Sequence, residues 1–460
     1  MKMKRILSVL GLCCACVSPA QALDLHGLPP DALALWVAPV EGQGVTVRYR
    51  DESPVNPAST MKLLTSWVAL ERLGPDFTWK TQLVSDAPVV DGVLQGDVYW
   101  VGQGDPGFFS DKLNALLNGL RQRGIHRIAG RLILDDSAYS RLSSAEGFDS
   151  DGGESFMAPP DALLTNLNVV WLHFYNEAGH VRVAMDPPLA GMNLSTELSL
   201  GGAGECRDVR RYITVETSAS RITVRGQLPP SCDGATTYLQ PLAATAFSGA
   251  AFSGMWREMG GDGPVATVAG KAPATARVLS EVVSDPLGRI LPDINKFSSN
   301  PMIRSLYLTL GRMAPVSGDT VADAESAVRQ TLAAHHLSDA GLVLENGAGL
   351  SRTERVTARL LGETLREAAR GPYASELLAS LPVAGQSGTL KRRLTDLGPR
   401  LRLKTGTLND VAALAGYWQA PNGQRLVIVA LVQADEVTRY KPALDAVVRD
   451  AVQQYAASGI

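Results

Sequence analysis

Two periodicities in the placement of apolar residues divide the chain into three stretches. Near the start, residues 33–40 and 44–50 are rich in β-formers and flank the turn signal Glu41-Gly42-Gln43, which predicts two strands. Met61, Leu64, Trp67 and Val68 then recur at helical spacing, so a helix is expected over 60–73, stopped by Gly74-Pro75. From about 84 to 239 the texture changes to short alternating runs (92–101, 127–134, 181–185, 212–215, 222–224) separated by Gly, Pro, Asp and Ser. That reads as small β-rich modules. Helical periodicity returns over 243–259, 287–310 (interrupted at Pro292 and Pro301), 320–336 and 355–369. Three strands follow at 401–407, 411–419 and 425–432, the last two joined by the hairpin signal Pro421-Asn422-Gly423, and a helix at 441–457 closes the chain.

Strands at both ends with helices between them predict an α/β (α+β) domain. It has an antiparallel sheet flanked by helices and is interrupted by the β-rich block. The expected division is 23–83 with 240–460 as the discontinuous catalytic domain and 84–239 as the insertion. Residues 1–22 are expected to be a cleaved secretory leader. Lys2, Lys4 and Arg5 precede an apolar run over 6–17, and Ala20-Gln21-Ala22 supplies a small-residue cleavage site. A lipid anchor at Cys16 would want an aliphatic residue where Cys13 stands.

The leader carries three positive charges and no negative ones, so its loss moves the formal charge from −3 to −6. A net negative chain argues against nucleic acid or an anionic membrane surface as partner. No later segment has the length and apolarity of a transmembrane helix. Three of the five cysteines lie in the leader. The remaining Cys206 and Cys232, in a chain sent to an oxidising compartment, are expected to form a disulfide. The six histidines have no metal-ligand spacing, so neither a metal nor any other cofactor is implied.

Chemistry enters with three short patterns that occur in order: Ser59-Thr60-Met61-Lys62, Ser298-Ser299-Asn300 and Lys404-Thr405-Gly406. Of ten lysines, only Lys62 has a serine three residues upstream. Ser59 falls at the start of a helix, where unpaired N–H groups favour developing negative charge. Lys62 lies on the same helical face and can serve as base once burial and a neighbouring cation, for which Lys404 is the candidate, strip its charge. Ser298 can shuttle a proton, and the Asn300 amide can hold both Lys62 and a substrate peptide. Lys404 offers positive charge for a carboxylate and Thr405 a hydroxyl. Gly406 allows close approach of a substrate backbone on an edge strand, and Thr407 N–H joins Ser59 N–H as oxyanion donor. This is the equipment of a serine acyl-transfer enzyme that uses lysine in place of a His-Asp relay. Gly102-Gln103-Gly104-Asp105-Pro106 lacks the third glycine of a dinucleotide site, and Gln386-Ser387-Gly388-Thr389 lacks the last glycine of a nucleophile elbow.

The order Ser-x-x-Lys, Ser-x-Asn, Lys-Thr-Gly resembles that of penicillin-binding proteins and serine β-lactamases. More narrowly, the chain resembles the class C low-molecular-mass penicillin-binding proteins, the D-alanyl-D-alanine carboxypeptidase/endopeptidases. That match is carried by Asn56-Pro57-Ala58 before Ser59, the long gap after the first motif, Asn346-Gly347-Ala348-Gly349-Leu350-Ser351-Arg352, and Leu381-Pro382-Val383-Ala384-Gly385 before Gly388-Thr389-Leu390. Two departures stand out: Ser299 where aspartate is usual, and Pro301-Met302-Ile303 in place of a more polar continuation. The resemblance implies a periplasmic serine DD-peptidase that acts on peptidoglycan stem peptides and cross-links through an acyl-enzyme on Ser59, and that β-lactams acylate. Two other functions use the same fold. A β-lactamase of class A needs an additional positioned glutamate, and no matching acidic loop follows the second motif. A catalytically silent wall- or β-lactam-binding protein has no need of Lys62.

Overall fold

The computed structural model describes residues 23–42, 47–145, 147–148 and 155–457. The expected leader and Cys16 lie outside the described residues, as do positions 43–46 of the first hairpin.

Apolar residues occupy nearly every position of Leu33–Pro39 (β1), Val411–Gln419 (β4) and Arg425–Gln433 (β5), the mark of strands covered on both faces. With Val47–Tyr49 (β2) and Leu401–Thr407 (β3) they form one antiparallel sheet in the order β3-β4-β5-β1-β2. Alternation sorts the side chains between two cores. Trp36, Ala413, Ala415, Val427 and Val429 face a layer of helices: Met61–Leu73 (α1), Leu287–Lys296 (α2), Asn300–Met313 (α3), Thr320–Ala334 (α4) and Ala358–Arg370 (α5). Leu35, Val37, Leu414, Ile428 and Ala430 face the closing helix Lys441–Ala457 (α6) through Leu444, Val447 and Val448. The α+β architecture expected from the sequence is therefore present, with β3 at the sheet edge.

The two prolines in 287–310 behave differently. Pro301 sits in the first turn of α3, where its missing N–H costs nothing, and it marks the break between helices. Pro292 lies inside α2 without ending it. A short helix, Ala374–Ser380, was not expected.

The β-rich block gathers into a five-stranded mixed sheet and three small three-stranded ones. The larger sheet recruits strands from beyond the expected limits of 84 and 239. Lys80–Ser85 pairs with Arg277–Val283, and Thr267–Ala269 pairs with Leu132–Asp135. The block also holds a helix, Ser110–Gln122, that the strand-like texture hid. Leu113, Leu116, Leu117 and Leu120 of that helix pack with Trp100 and with Phe247, Ala251, Phe252 and Trp256 of the helix Ala244–Glu258. Among the described residues no helix is long and apolar enough to cross a membrane.

Cys206 and Cys232 are disulfide-bonded, as expected, and close a loop spanning 26 positions. Chain-entropy arguments assign such a loop about 3.5 kcal/mol. The double variant Cys206→Ser/Cys232→Ser should lose about that much in urea unfolding, and its midpoint should no longer respond to reductant. An unchanged midpoint would show that the crosslink constrains nothing.

Candidate active site

Ser59 is presented by a tight turn. Ala58 takes a left-handed backbone (φ 44°), held by the Asn56 side chain, whose Oδ1 accepts the Ala58 N–H at 2.9 Å and whose Nδ2 donates to the Ser351 carbonyl at 2.8 Å. A 3-10 turn over Ala58–Thr60 leads directly into α1, so Ser59 lies at the helix entrance and Lys62 one turn further on. Lys62 is fully buried, and its Nζ donates to Ser59 Oγ (2.9 Å), Asn300 Oδ1 (2.6 Å) and the Ala348 carbonyl (2.6 Å). Three acceptors satisfy every hydrogen an ammonium can offer, and the orientation aims the nitrogen at the serine.

The second motif bridges α2 and α3. Ser298 also has a left-handed backbone (φ 58°), and Asn300 opens α3. The structure pairs Ser298 with Lys404 rather than with Lys62: Lys404 Nζ donates to Ser298 Oγ at 2.8 Å and to the Thr405 carbonyl at 2.8 Å. The Asn300 amide nitrogen is 3.3 Å from the Phe156 carbonyl, so it ties the β-rich block to the site.

The third motif lies on β3. Lys404 is completely enclosed, whereas Thr407 lines the cleft. Thr405 Oγ1 donates to Thr389 Oγ1 at 2.7 Å, which gives the Gly388-Thr389-Leu390 segment a place in the site. Gly406 also meets a packing demand. A Cβ there would come within 3.0 Å of the Pro57 carbonyl and 3.1 Å of Ser59 N. Glycine is needed so that β3 can press against the nucleophile's own turn.

These pieces surround a cleft of about 270 Å³ lined by Ser59, Ser298, Asn300, Arg352, Thr407 and Phe156, among others. Its electrostatics are set by buried charge. Burial, followed by repulsion from Lys404, pushes the Lys62 ammonium well below the ordinary lysine range. Burial alone brings Lys404 down to about 7. Both causes expected for Lys62, burial and the Lys404 cation, are present, and burial is the larger. Two further buried charges were not anticipated. Arg304, on the apolar face of α3, is drawn down to about 10 by burial and donates to Ser143 and to the Ala158 carbonyl. Glu354 is enclosed just beyond the glycine-rich loop. The sequence held a signal for each: a charged residue among the apolar Met302, Ile303, Leu306, Tyr307 and Leu308, and an acidic residue two positions beyond Arg352.

A serine hydroxyl held against a lysine that burial drives towards its free base, with a second buried lysine beside it, can attack a carbonyl and pass its proton to the amine. The comparisons point the same way. The model of the D-Ala-D-Ala carboxypeptidase 3 (S13) family matches residues 20–453. A D-alanyl-D-alanine carboxypeptidase of an Actinomadura species is 30% identical over 393 residues, 80% of this chain and 71% of that protein. The crystal structure of penicillin binding protein 4 from Haemophilus influenzae is similar in fold with a TM-score of 0.74, at 22% identity, covering 93% of this chain and 97% of that one. A second structure of that protein, complexed with a β-lactam, is similar with a TM-score of 0.69 at 20% identity, with the same coverage.

Proposed function

We propose, from the premise that this chain belongs to the D-Ala-D-Ala carboxypeptidase 3 (S13) family, that Ser59 is the nucleophile of its activity. Membership makes the chain a serine DD-peptidase and a penicillin-binding protein. Lys62, as free base, takes the Ser59 proton while Ser59 Oγ attacks the carbonyl of a D-alanyl bond in a peptidoglycan stem peptide. The N–H groups of Ser59 and Thr407 receive the oxyanion. The tetrahedral intermediate collapses to an acyl-serine and expels an amine, either D-alanine or the cross-linked partner strand. Ser298, held by Lys404, gives its hydroxyl proton to that amine and is reprotonated by Lys62, which so returns to the free base. Water then cleaves the ester with Lys62 again as base, and Lys62 hands that proton back to Ser59 Oγ.

The observation that supports this reading is the 2.9 Å contact between Lys62 Nζ and Ser59 Oγ at an amine stripped of charge by burial. Asn300 orients Lys62. Lys404 supplies the positive potential for the substrate carboxylate, felt at the cleft through the hydroxyls of Ser298 and Thr405, and Gly406 keeps β3 against Ser59. The site takes no metal or other cofactor in this scheme, and nucleic acid has no part in it. A β-lactam offers a strained amide beside a carboxylate and so acylates the same serine. We take the enzyme to work in the periplasm, delivered by removal of residues 1–22. The inserted unit is taken to run from Lys80 to Val283, because its outer sheet begins and ends with those paired strands. Around it, 23–79 and 284–460 make the catalytic domain.

Labelled penicillin followed by intact-mass and peptide analysis tests the proposal, together with D-alanine release from a pentapeptide and product analysis on cross-linked muropeptides. One adduct per chain on the peptide containing Ser59, with release of D-alanine or uncoupled strands, is expected. No adduct, or many turnovers of a chromogenic cephalosporin, would overturn it.

A further inference from the structure

We propose that Glu354 is a positioning residue for Lys62: its buried carboxylate holds the loop Glu345–Gly349 in the one shape that presents the Ala348 carbonyl to the lysine, and it places a fixed negative charge behind that contact. The inference rests on the role given to Lys62 above and adds a residue to it. Glu354 Oε1 accepts the N–H groups of Glu345 (3.1 Å), Asn346 (2.9 Å) and Gly347 (2.8 Å), and Oε2 accepts that of Gly349 (2.8 Å). Four backbone donors converge on one carboxylate and no acceptor is among them. The arrangement therefore favours the ionised form: burial raises the carboxyl above its ordinary range, and the four N–H groups work against that rise.

The grip matters because the loop touches the catalytic turn directly. Ala348 O accepts one of the three Lys62 hydrogens. Gly349, with φ 74°, lies so close to Ala58 that a Cβ would overlap the Ala58 carbonyl. Gly347 O accepts from Thr65 Oγ1 at 2.7 Å, one turn beyond Lys62 on α1. Asn346 completes the loop by accepting the Ala348 N–H and donating to the Leu350 carbonyl. Without a carboxylate, four buried N–H groups lose their acceptor, and the loop must move to find others.

The charge matters as well. Lys404 from β3 and Arg304 from α3 face Lys62 with positive charge, Glu354 faces it with negative charge, and Tyr307 of α3 is the further titratable group beside the carboxylate. Burial and the two cations drive Lys62 towards the free base, and Glu354 opposes them. The carboxylate thus limits how far the lysine is depressed and keeps it basic enough to take the serine proton.

The test is the rate of Ser59 acylation by labelled penicillin between pH 4.5 and 9, measured on the full chain. Glu354→Gln has the same shape, but its amide NH2 opposes an N–H donor. Acylation should fall by about 10²-fold, since a misplaced base a fraction of an ångström away costs that much. With the negative charge gone, the acid limb of the profile should move down by about one pH unit. Glu354→Asp keeps the charge but withdraws it by one methylene. Its rate should fall at least tenfold while the limb stays where it is in the wild type. A merely structural glutamate would lower the rate of both variants and shift neither limb. An unshifted limb in Glu354→Gln overturns the inference, and if Glu354→Gln does not fold, a wild-type rate in Glu354→Asp does. Absence of acylation in the wild type would instead strike at the reading of Ser59 and Lys62 beneath it.

Discussion

Ser59→Ala should bind no labelled penicillin and release no measurable D-alanine, a loss on the order of 10⁴-fold or more. Removing the hydroxyl removes the atom to which the acyl group is attached, and no neighbour can replace it. Ser298 Oγ is the other hydroxyl near a lysine in the cleft, but it stands against Lys404 on β3, away from the helix entrance that presents Ser59. The variant should nevertheless fold like the parent. Ser59 is only half-buried, and in its absence Lys62 still donates to Asn300 Oδ1 and the Ala348 carbonyl. Unfolding midpoints should agree within about 1 kcal/mol, a typical net value for one hydrogen bond. A Ser59→Ala protein that still acquired one penicillin per chain would move the nucleophile elsewhere. Ser298→Ala makes the contrast, because a relay can be bypassed by water and its loss should cost only about 10²-fold.

Much of the site was readable because its chemistry is written in short, local patterns. Ser59 and Lys62 are set by one helical turn, Asn300 stands at a proline-marked helix start, and Lys404 to Thr407 continue an alternating strand. The sequence also placed β3 at a sheet edge and gave the disulfide. What it left out depends on contacts between distant segments. Nothing local says that Ser298 meets Lys404 rather than Lys62, that the Ala348 carbonyl reaches Lys62 across 286 positions, or that Phe156 ties the β-rich block to Asn300. Gly406 shows the same limit. Its strand context suggested room for a substrate, and its close packing on the turn carrying Ser59 was not legible. One omission had a different origin. Leu113, Leu116, Leu117 and Leu120 repeat at helical spacing, so the helix Ser110–Gln122 was legible in principle. The flanking strands dominated the texture of the block and masked it.

Lys62→Met tests the other half of the chemistry, and its outcome should depend on pH in opposite ways for activity and for stability. Methionine fills a similar volume but can neither take a proton nor aim at Ser59, so acylation should fall by about 10³- to 10⁴-fold, the scale of a lost general base. In the wild type two ammonium groups in one enclosed site resist being charged together, and Lys62, depressed by burial and by the Lys404 charge, is the one that gives up its proton. Acylation should therefore rise as pH climbs through the lowered Lys62 value. It should decline again as Lys404, brought down to about 7, loses the charge that attracts the carboxylate. Lys62→Met should lack the rising limb and keep the falling one. Stability follows from the same displacement. Lys62 titrates lower in the folded chain than in the unfolded one, so over the interval between the two values the unfolded state binds more protons, and stability rises with pH there. Below the folded value the full cost of burying a charged lysine is present; above about 10.5 it is gone. Lys62→Met never bears that cost. Its melting temperature should exceed that of the wild type most clearly at pH 5 and converge on it towards pH 10. A variant that is inactive yet more stable in acid is the signature of a base kept under strain. One that is less stable at every pH would mean that Lys62 is held there for packing and hydrogen bonding alone.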